Sequence, residues 1–206
     1  MNPIFEFYNL IFYQPVLKAL LFFYKNLKDF GLAVIFLTIL IRIILFPLDY
    51  KNKKEQEKFL KIKKEIEEIE KKFNGERKNK EILALYRREK INPFFNLLSF
   101  FVQFPILVAL YQVLLKAPNQ LGSSFFGFLN LSKPNFLLVL IAIFLQWFYF
   151  KLGSKKTEKI TSFQTQLTLF LIPFTFLILI KLPSAISLYF VSSYLFLIFE
   201  KILFHV

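Results

Sequence analysis

One arginine stands inside FLTILIRIILFPLDY, residues Phe36 to Tyr50, a run otherwise dominated by leucine, isoleucine and phenylalanine. A guanidinium stays charged at any workable pH, and a charge at mid-bilayer depth costs from ~2.5 to well above ~10 kcal/mol. Arg42 must therefore be solvated, paired or lifted to the interface. It precedes Leu48 by six residues, roughly 9 Å along a helix axis at ~1.5 Å per residue, so its long side chain is within partial reach of snorkelling. No deep ion pair is available, because the other apolar stretches contain no Asp or Glu except Glu200, near the end of the last one. They contain neutral polar groups instead: Thr38, one helical turn before Arg42 on the same face, then Asn96, Ser99, Gln103, Gln146, Ser187, Tyr189, Ser192 and Ser193. Brought together, these would form a wet cationic cavity inside the membrane. Taken singly, each reads as an interhelical hydrogen bond.

The inventory works against catalysis. The sole histidine, His205, is the penultimate residue, and there is no cysteine; a His-based triad, a histidine metal cluster, thiolate chemistry and disulfides are all excluded. The five glycines form no phosphate-binding loop, and the intramembrane carboxylates that a proton-coupled pump needs are missing. The expectation is a protein that is not an enzyme and uses no cofactor and no metal.

The elements that must position Arg42 follow from hydropathy and charge. The chain of 206 residues is 56% hydrophobic with a mean hydropathy of +0.51, yet carries a net charge of +13, the signature of apolar spans joined by basic segments. Four stretches are long and apolar enough to cross a bilayer of about 30 Å: Phe30 to Leu48, Phe94 to Leu115, Phe163 to Leu182 and Ser184 to His205. A fifth, Asn135 to Phe150, covers only about 24 Å and spans with local thinning or tilt. The predicted fold is an all-α membrane protein of five transmembrane helices, residues 30–206. Lys and Arg crowd Lys51 to Lys90 and recur in KLGSKKTEK, Lys151 to Lys159, whereas the opposite connections contribute only Lys116, Lys133 and Lys181. Basic loops stay in the cytoplasm, which predicts the N-terminus outside and the C-terminus inside.

Two further elements flank this core. Residues 1–29 carry the aromatic stretch Pro3 to Tyr24, interrupted by Glu6, Asn9, Gln14, Pro15 and Lys18; it reads as an amphipathic helix in the outer interface rather than a sixth span, and it lacks the basic start of a cleavable signal. Residues 50–92 form a charged cytoplasmic helical hairpin. Phe59, Ile62, Ile66, Ile69 and Phe73 recur at steps of three and four, Asn74-Gly75 supplies a turn, and Ile82, Leu85 and Tyr86 give a second helix its apolar side.

Taken in order and spacing, TILIRIILFPL (Thr38 to Leu48), LYRREKINPF (Leu85 to Phe94), QFPILVALYQVL (Gln103 to Leu114), FFGFLNLSKPN (Phe125 to Asn135) and LPSAISLYF (Leu182 to Phe190) resemble the YidC-type membrane protein insertases (the YidC/Oxa/Alb family), in the short form without a large extracytoplasmic domain. The resemblance implies a bacterial inner-membrane insertase and chaperone for nascent membrane proteins. It implies a hydrophilic groove open to the cytoplasm and to lipid and closed toward the outside, in which Arg42 receives polar or acidic parts of the substrate. Thr38, Gln146 and Phe190 map onto the family's groove positions, with Gln103 and Tyr189 alongside. Phe190 stands where Trp or Tyr is common, which keeps an aromatic face without a polar tip. The implied partners are nascent chains and the lipid bilayer, then the Sec translocon, the signal recognition particle receptor and the ribosome, with no specific nucleic acid. The long basic tail of many relatives does not follow Val206, so ribosome contact falls to the two cytoplasmic loops.

Two rival classes remain on the residues alone. In a small anion channel or transporter, Arg42 would select anions, but the outer ends of the spans are almost purely apolar. In a scaffold, the basic hairpin would bind RNA or anionic lipid, but its many Glu suit a phosphate surface poorly.

Overall fold

The computed structural model of the chain describes residues 3–91, 95–116, 122–154 and 162–203. It is mostly helical, and a helix occupies each of the five apolar stretches: α3 (Phe30–Lys61), α6 (Phe95–Lys116), α7 (Phe136–Ser154), α8 (Ser162–Leu179) and α9 (Ser184–Leu203). Among the described residues two segments are long and apolar enough to cross a membrane, Phe30–Lys51 and Ser184–Leu203, and Phe104–Lys116 and Phe136–Leu152 are shorter apolar helices. Internal contacts divide the chain into one unit of Met1–Ile44 with Pro105–Val206 and a second of Leu45–Phe104.

The first unit is built on α3 and α9. Along α3, Phe30, Ala33, Val34, Leu37, Thr38 and Ile41 are buried, the stripe a 3.6-residue period requires. The opposite side shows Phe36, Leu40, Ile43 and Ile44 to the surroundings, so the outward face is as apolar as the inward one, as a lipid-facing helix demands. On α9 every residue from Ser184 to Tyr189 is buried, which places this half of the helix at the centre of the unit. α7 makes its most extensive packing against α9 and also packs on α8.

Asp29 organises the start of α3. One carboxylate oxygen accepts the Leu32 N–H at 2.8 Å, an N-terminal cap. The other accepts the Phe126 N–H at 2.7 Å. Phe126 belongs to the tip between two short antiparallel strands, β1 (Ser124–Phe125) and β2 (Leu129–Asn130), paired Ser124 with Asn130 and Phe125 with Leu129. The hairpin sits so close to α3 that a Cβ on Gly31 would lie 2.1 Å from the Phe125 ring; only glycine fits there. The following loop is stitched to α9, with the Ser184 N–H donating to Lys133 O and the Ala185 N–H to Leu131 O, both at 3.0 Å.

Pro3 to Leu27 is helical throughout, with a π-helical turn inside it. It comprises α1 (Pro3–Tyr8), a π-helical turn (Asn9–Tyr13) and α2 (Gln14–Leu27). Pro15 has no N–H to give to the carbonyl of Ile11, and just before it the Gln14 N–H reaches five residues back to Asn9 O, the step that defines a π bulge. Tyr8 donates to Gln112 Oε1 at 3.3 Å, and the Lys116 ammonium lies 5.7 Å from the centre of the Tyr13 ring, so this segment docks on the end of α6.

In the second unit α3 continues through Pro47 to Lys61, and the change from apolar to charged sequence at Leu48 does not end the helix. Ile62 (φ −90°, ψ −1°) breaks it, so the apolar seam expected on one helix is shared between α3 and α4 (Lys63–Lys72). Phe73 and Asn74 lead into α5 (Gly75–Arg88). Ile62, Leu85 and Ile91 form a buried cluster with Ile66, Ile69 and Tyr86 packed on it; the side chain of Phe59 lies outside the described residues.

Candidate functional site

Arg42 is half-buried, one turn beyond Thr38. Its Nε donates to Ser193 Oγ at 2.6 Å, and Nη2 donates to the same oxygen. The guanidinium therefore joins α3 to α9 inside the unit. Ser193 is 1% exposed, and a hydroxyl oxygen cannot neutralise the charge; the pair is a charge-assisted hydrogen bond. Tyr194, the next residue, is within electrostatic reach of Arg42, Tyr149 and Tyr189, and its ring packs on Phe190 at 6.3 Å and Tyr149 at 6.1 Å between centroids.

The other expected site residues fall into three groups. Thr38 is fully buried and its hydroxyl donates to Val34 O at 2.7 Å, the bond to its own helix that Thr makes inside helices. Gln146 on α7 is 2% exposed; its Nε2 donates to Thr175 Oγ1 on α8 at 3.3 Å, and its Oε1 has no hydrogen-bond partner among the described residues. Tyr189 is buried and meets the half-buried Phe190 edge to face at 5.5 Å. The side chains of Gln103, Asn96 and Ser99 lie outside the described residues. Arg42 is thus brought to Ser193, and Gln146 to Thr175.

Ser187 adds a second orphan: its Oγ is buried without a hydrogen-bond partner among the described residues, whereas Ser192 Oγ donates to Leu188 O at 2.9 Å. A buried polar atom left unpaired costs ~1–3 kcal/mol, and native structures usually satisfy such atoms with water or ligand. Among the described residues no group of three or more His, Cys, Asp or Glu gathers to hold a metal ion.

Thr175, Tyr194 and Asp29 were not among the residues the sequence singled out. Each carries a signal: a Thr in the more apolar half of its helix, a Tyr one turn after Phe190 on the same face, and an acid directly before an apolar run, where helix caps sit. At the far ends of α7 and α9 the Lys151 ammonium lies 4.7 Å from the Trp147 ring centre and Lys201 lies 4.8 Å from that of Tyr149, the aromatic and cationic pairing of a membrane boundary.

Helices with apolar outer faces around buried polar side chains define a helical membrane protein. The family model for the 60Kd inner membrane protein matches residues 22–206. The chain belongs to this family, that of the YidC-type insertases. It is 35% identical over 127 residues to membrane protein insertase YidC of Caulobacter vibrioides, a match covering 60% of this chain and 21% of that protein. It is 27% identical over 188 residues to membrane protein insertase YidC of Oceanobacillus iheyensis, covering 85% of this chain and 74% of that protein. Among solved structures, the active YidC insertase with its first transmembrane domain resolved matches with a TM-score of 0.68 and 25% identity, over 94% of this chain and 46% of that one. The chain thus spans about a fifth of the Caulobacter relative and about half of the solved chain.

Proposed function

We propose that this chain inserts nascent membrane proteins into the bilayer and assists their folding, through a hydrophilic groove whose positive floor is Arg42. The observation that carries this reading is a guanidinium inside an apolar helix pair, hydrogen-bonded across it to the neutral Ser193 Oγ. Family membership supports the same activity.

The mechanism follows from desolvation. A hydrophilic stretch of substrate crossing the membrane loses its hydration. Arg42 lies about 18 Å along α3 from Phe30, so more than half of a ~30 Å hydrocarbon core remains between it and the capped end of the helix. A groove wetted to this depth from the other end shortens the dry path, and the guanidinium offsets the charge penalty of an acidic stretch. Gln146 Oε1 and Ser187 Oγ offer acceptors to passing backbone or water, and Tyr189 and Phe190 supply an aromatic wall. Burial of the substrate's apolar segment in lipid then drives the step without nucleotide.

The accompanying architecture is five spanning helices over residues 30–206, an interfacial helix over residues 1–29, and a cytoplasmic hairpin over residues 50–92. The N-terminus lies outside and the C-terminus in the cytoplasm of a bacterial inner membrane. The hairpin and the loop at Lys151 to Lys159 receive the ribosome, the signal recognition particle receptor or the Sec translocon.

Photocrosslinkers at Arg42, Gln146 and Phe190 test this reading against a ribosome-stalled membrane protein. Adducts from all three positions that vanish when the nascent chain is released are expected. Adducts only from lipid-facing control positions such as Phe36 would overturn it.

A further inference from the structure

The tip of the β1–β2 hairpin combines strain with exposure. Phe126 and Gly127 both have positive φ, +51° and +77°, and the Phe128 N–H approaches Phe125 O at 3.4 Å, the pattern of a type I′ turn. Such turns favour Asn, Asp or Gly at the first central position, because a side chain there crowds the backbone. Here that position holds phenylalanine. Phe126 is 59% exposed and Phe128 is 82% exposed, and the two rings stack at 6.4 Å with 16° between their planes. The Phe126 N–H donates to Asp29 Oδ2, so the strained turn is held in place by the cap of α3.

The tip's position in the fold identifies what covers these rings. Asp29 ties it to the first turn of α3, and the loop after β2 is bonded to the first residues of α9. These are the beginnings of the two helices that, among the described residues, are long and apolar enough to cross a membrane, so the tip sits at a membrane boundary and not out in water. Lys28, Lys133 and Lys181, all exposed, stand beside Asp29, on the loop between β2 and α7, and just before α9. Apolar rings with ammonium groups around them are the composition of the headgroup zone.

We propose that Phe126 and Phe128 form an aromatic finger that inserts into the phospholipid interface at this end of the helices, with Lys28, Lys133 and Lys181 at the phosphates. The finger fixes the depth of the capped ends of α3 and α9, and hence the depth of Arg42. The inference rests on the reading that these helices span the bilayer, and the experiment separates the two.

The chain has one tryptophan, Trp147, exposed on α7. Phe128→Trp in a Trp147→Phe background places the only indole at the tip, at a position exposed enough to accept it. The full chain is reconstituted into phosphatidylcholine–phosphatidylglycerol vesicles containing lipids brominated either near the headgroup or near the chain end. The expected result is blue-shifted emission, quenched more by the shallow bromines than by the deep ones. Water-like emission that iodide quenches and bromolipids do not would overturn the finger. So would blue-shifted emission insensitive to bromolipid and dependent on the protein-to-lipid ratio, which would assign the patch to a second copy of the chain. The parent protein with Trp147 alone reports on the membrane reading: bromolipid quenching at Trp147 but not at the tip rejects the finger only, and quenching at neither rejects both.

Discussion

Both Nε and Nη2 of Arg42 donate to the same oxygen, Ser193 Oγ. Ser193→Ala withdraws the shared acceptor. Hydrogen bonds to charged groups contribute ~1.5–3 kcal/mol, so thermal unfolding in detergent should fall by several degrees, and Ser193→Thr should restore most of the loss. Gln146 behaves differently because its Oε1 is buried and unpartnered among the described residues. Replacing a half-satisfied buried amide by an apolar group of similar size is nearly neutral or stabilising. Gln146→Leu should therefore leave the melting temperature unchanged or raised while lowering insertion yield; a fall in both together would assign Gln146 to packing. Arg42 was legible in the sequence because a lone charge in LIRIIL has so few tolerable explanations. Its partner was not, since Ser187, Ser192 and Ser193 sit within two turns of one helix and nothing in the sequence sets how α9 is rotated toward α3.

At the scale of elements, the capped end of α3 is held by contacts with little room to give. A methyl group at position 31 would meet the Phe125 ring at 2.1 Å. Gly31→Ala should lower stability by ~1–3 kcal/mol, as overpacking does, and Phe125→Leu in the same chain should recover part of it; thermal unfolding of the two variants decides. The α4–α5 pair carries a pH signature. Burial first, then the carboxylate of Glu70, raise the Tyr86 phenol above its ordinary value of 10.0. The neutral phenol is the form the fold favours, so the stability it contributes is complete below the unfolded value and is lost as pH rises through the raised folded one. Melting curves followed by circular dichroism at about pH 8 and about pH 11 should show this loss in the parent and its reduction in Tyr86→Phe. The five helices were legible from hydropathy alone. The break at Ile62 and the π turn at Asn9–Tyr13 were not: the first depends on how α4 folds onto α5, and the second on where the missing N–H of Pro15 is absorbed. The FFGF hairpin was hidden because Phe126 occupies a turn position that sequence rules reserve for Asn or Gly.

For the molecule as a whole, the proposed orientation can be read chemically because the chain has no cysteine. Single substitutions Lys78→Cys on α5, a half-buried position, and Lys133→Cys after β2, an exposed one, give unambiguous labels. With a membrane-impermeant maleimide on intact cells, Lys133→Cys should react at once and Lys78→Cys only after permeabilisation; the reverse pattern would invert the topology. The net charge of +13 made the basic side of the protein legible, but charge alone could not separate an insertase from a basic scaffold. The order of motifs along the chain and the match of residues 22–206 to the 60Kd inner membrane protein family favour the proposed insertase reading. The central claim, that Arg42 acts through its charge on the substrate, is tested most directly by insertion into vesicles reconstituted with purified protein. Two substrates are compared, one with an acidic and one with a neutral translocated segment. Arg42→Ala should depress insertion of the acidic substrate about tenfold, the equivalent of ~1.4 kcal/mol, spare the neutral one, and be largely rescued by Arg42→Lys. Equal insertion of both substrates by Arg42→Ala and the parent protein would contradict the account.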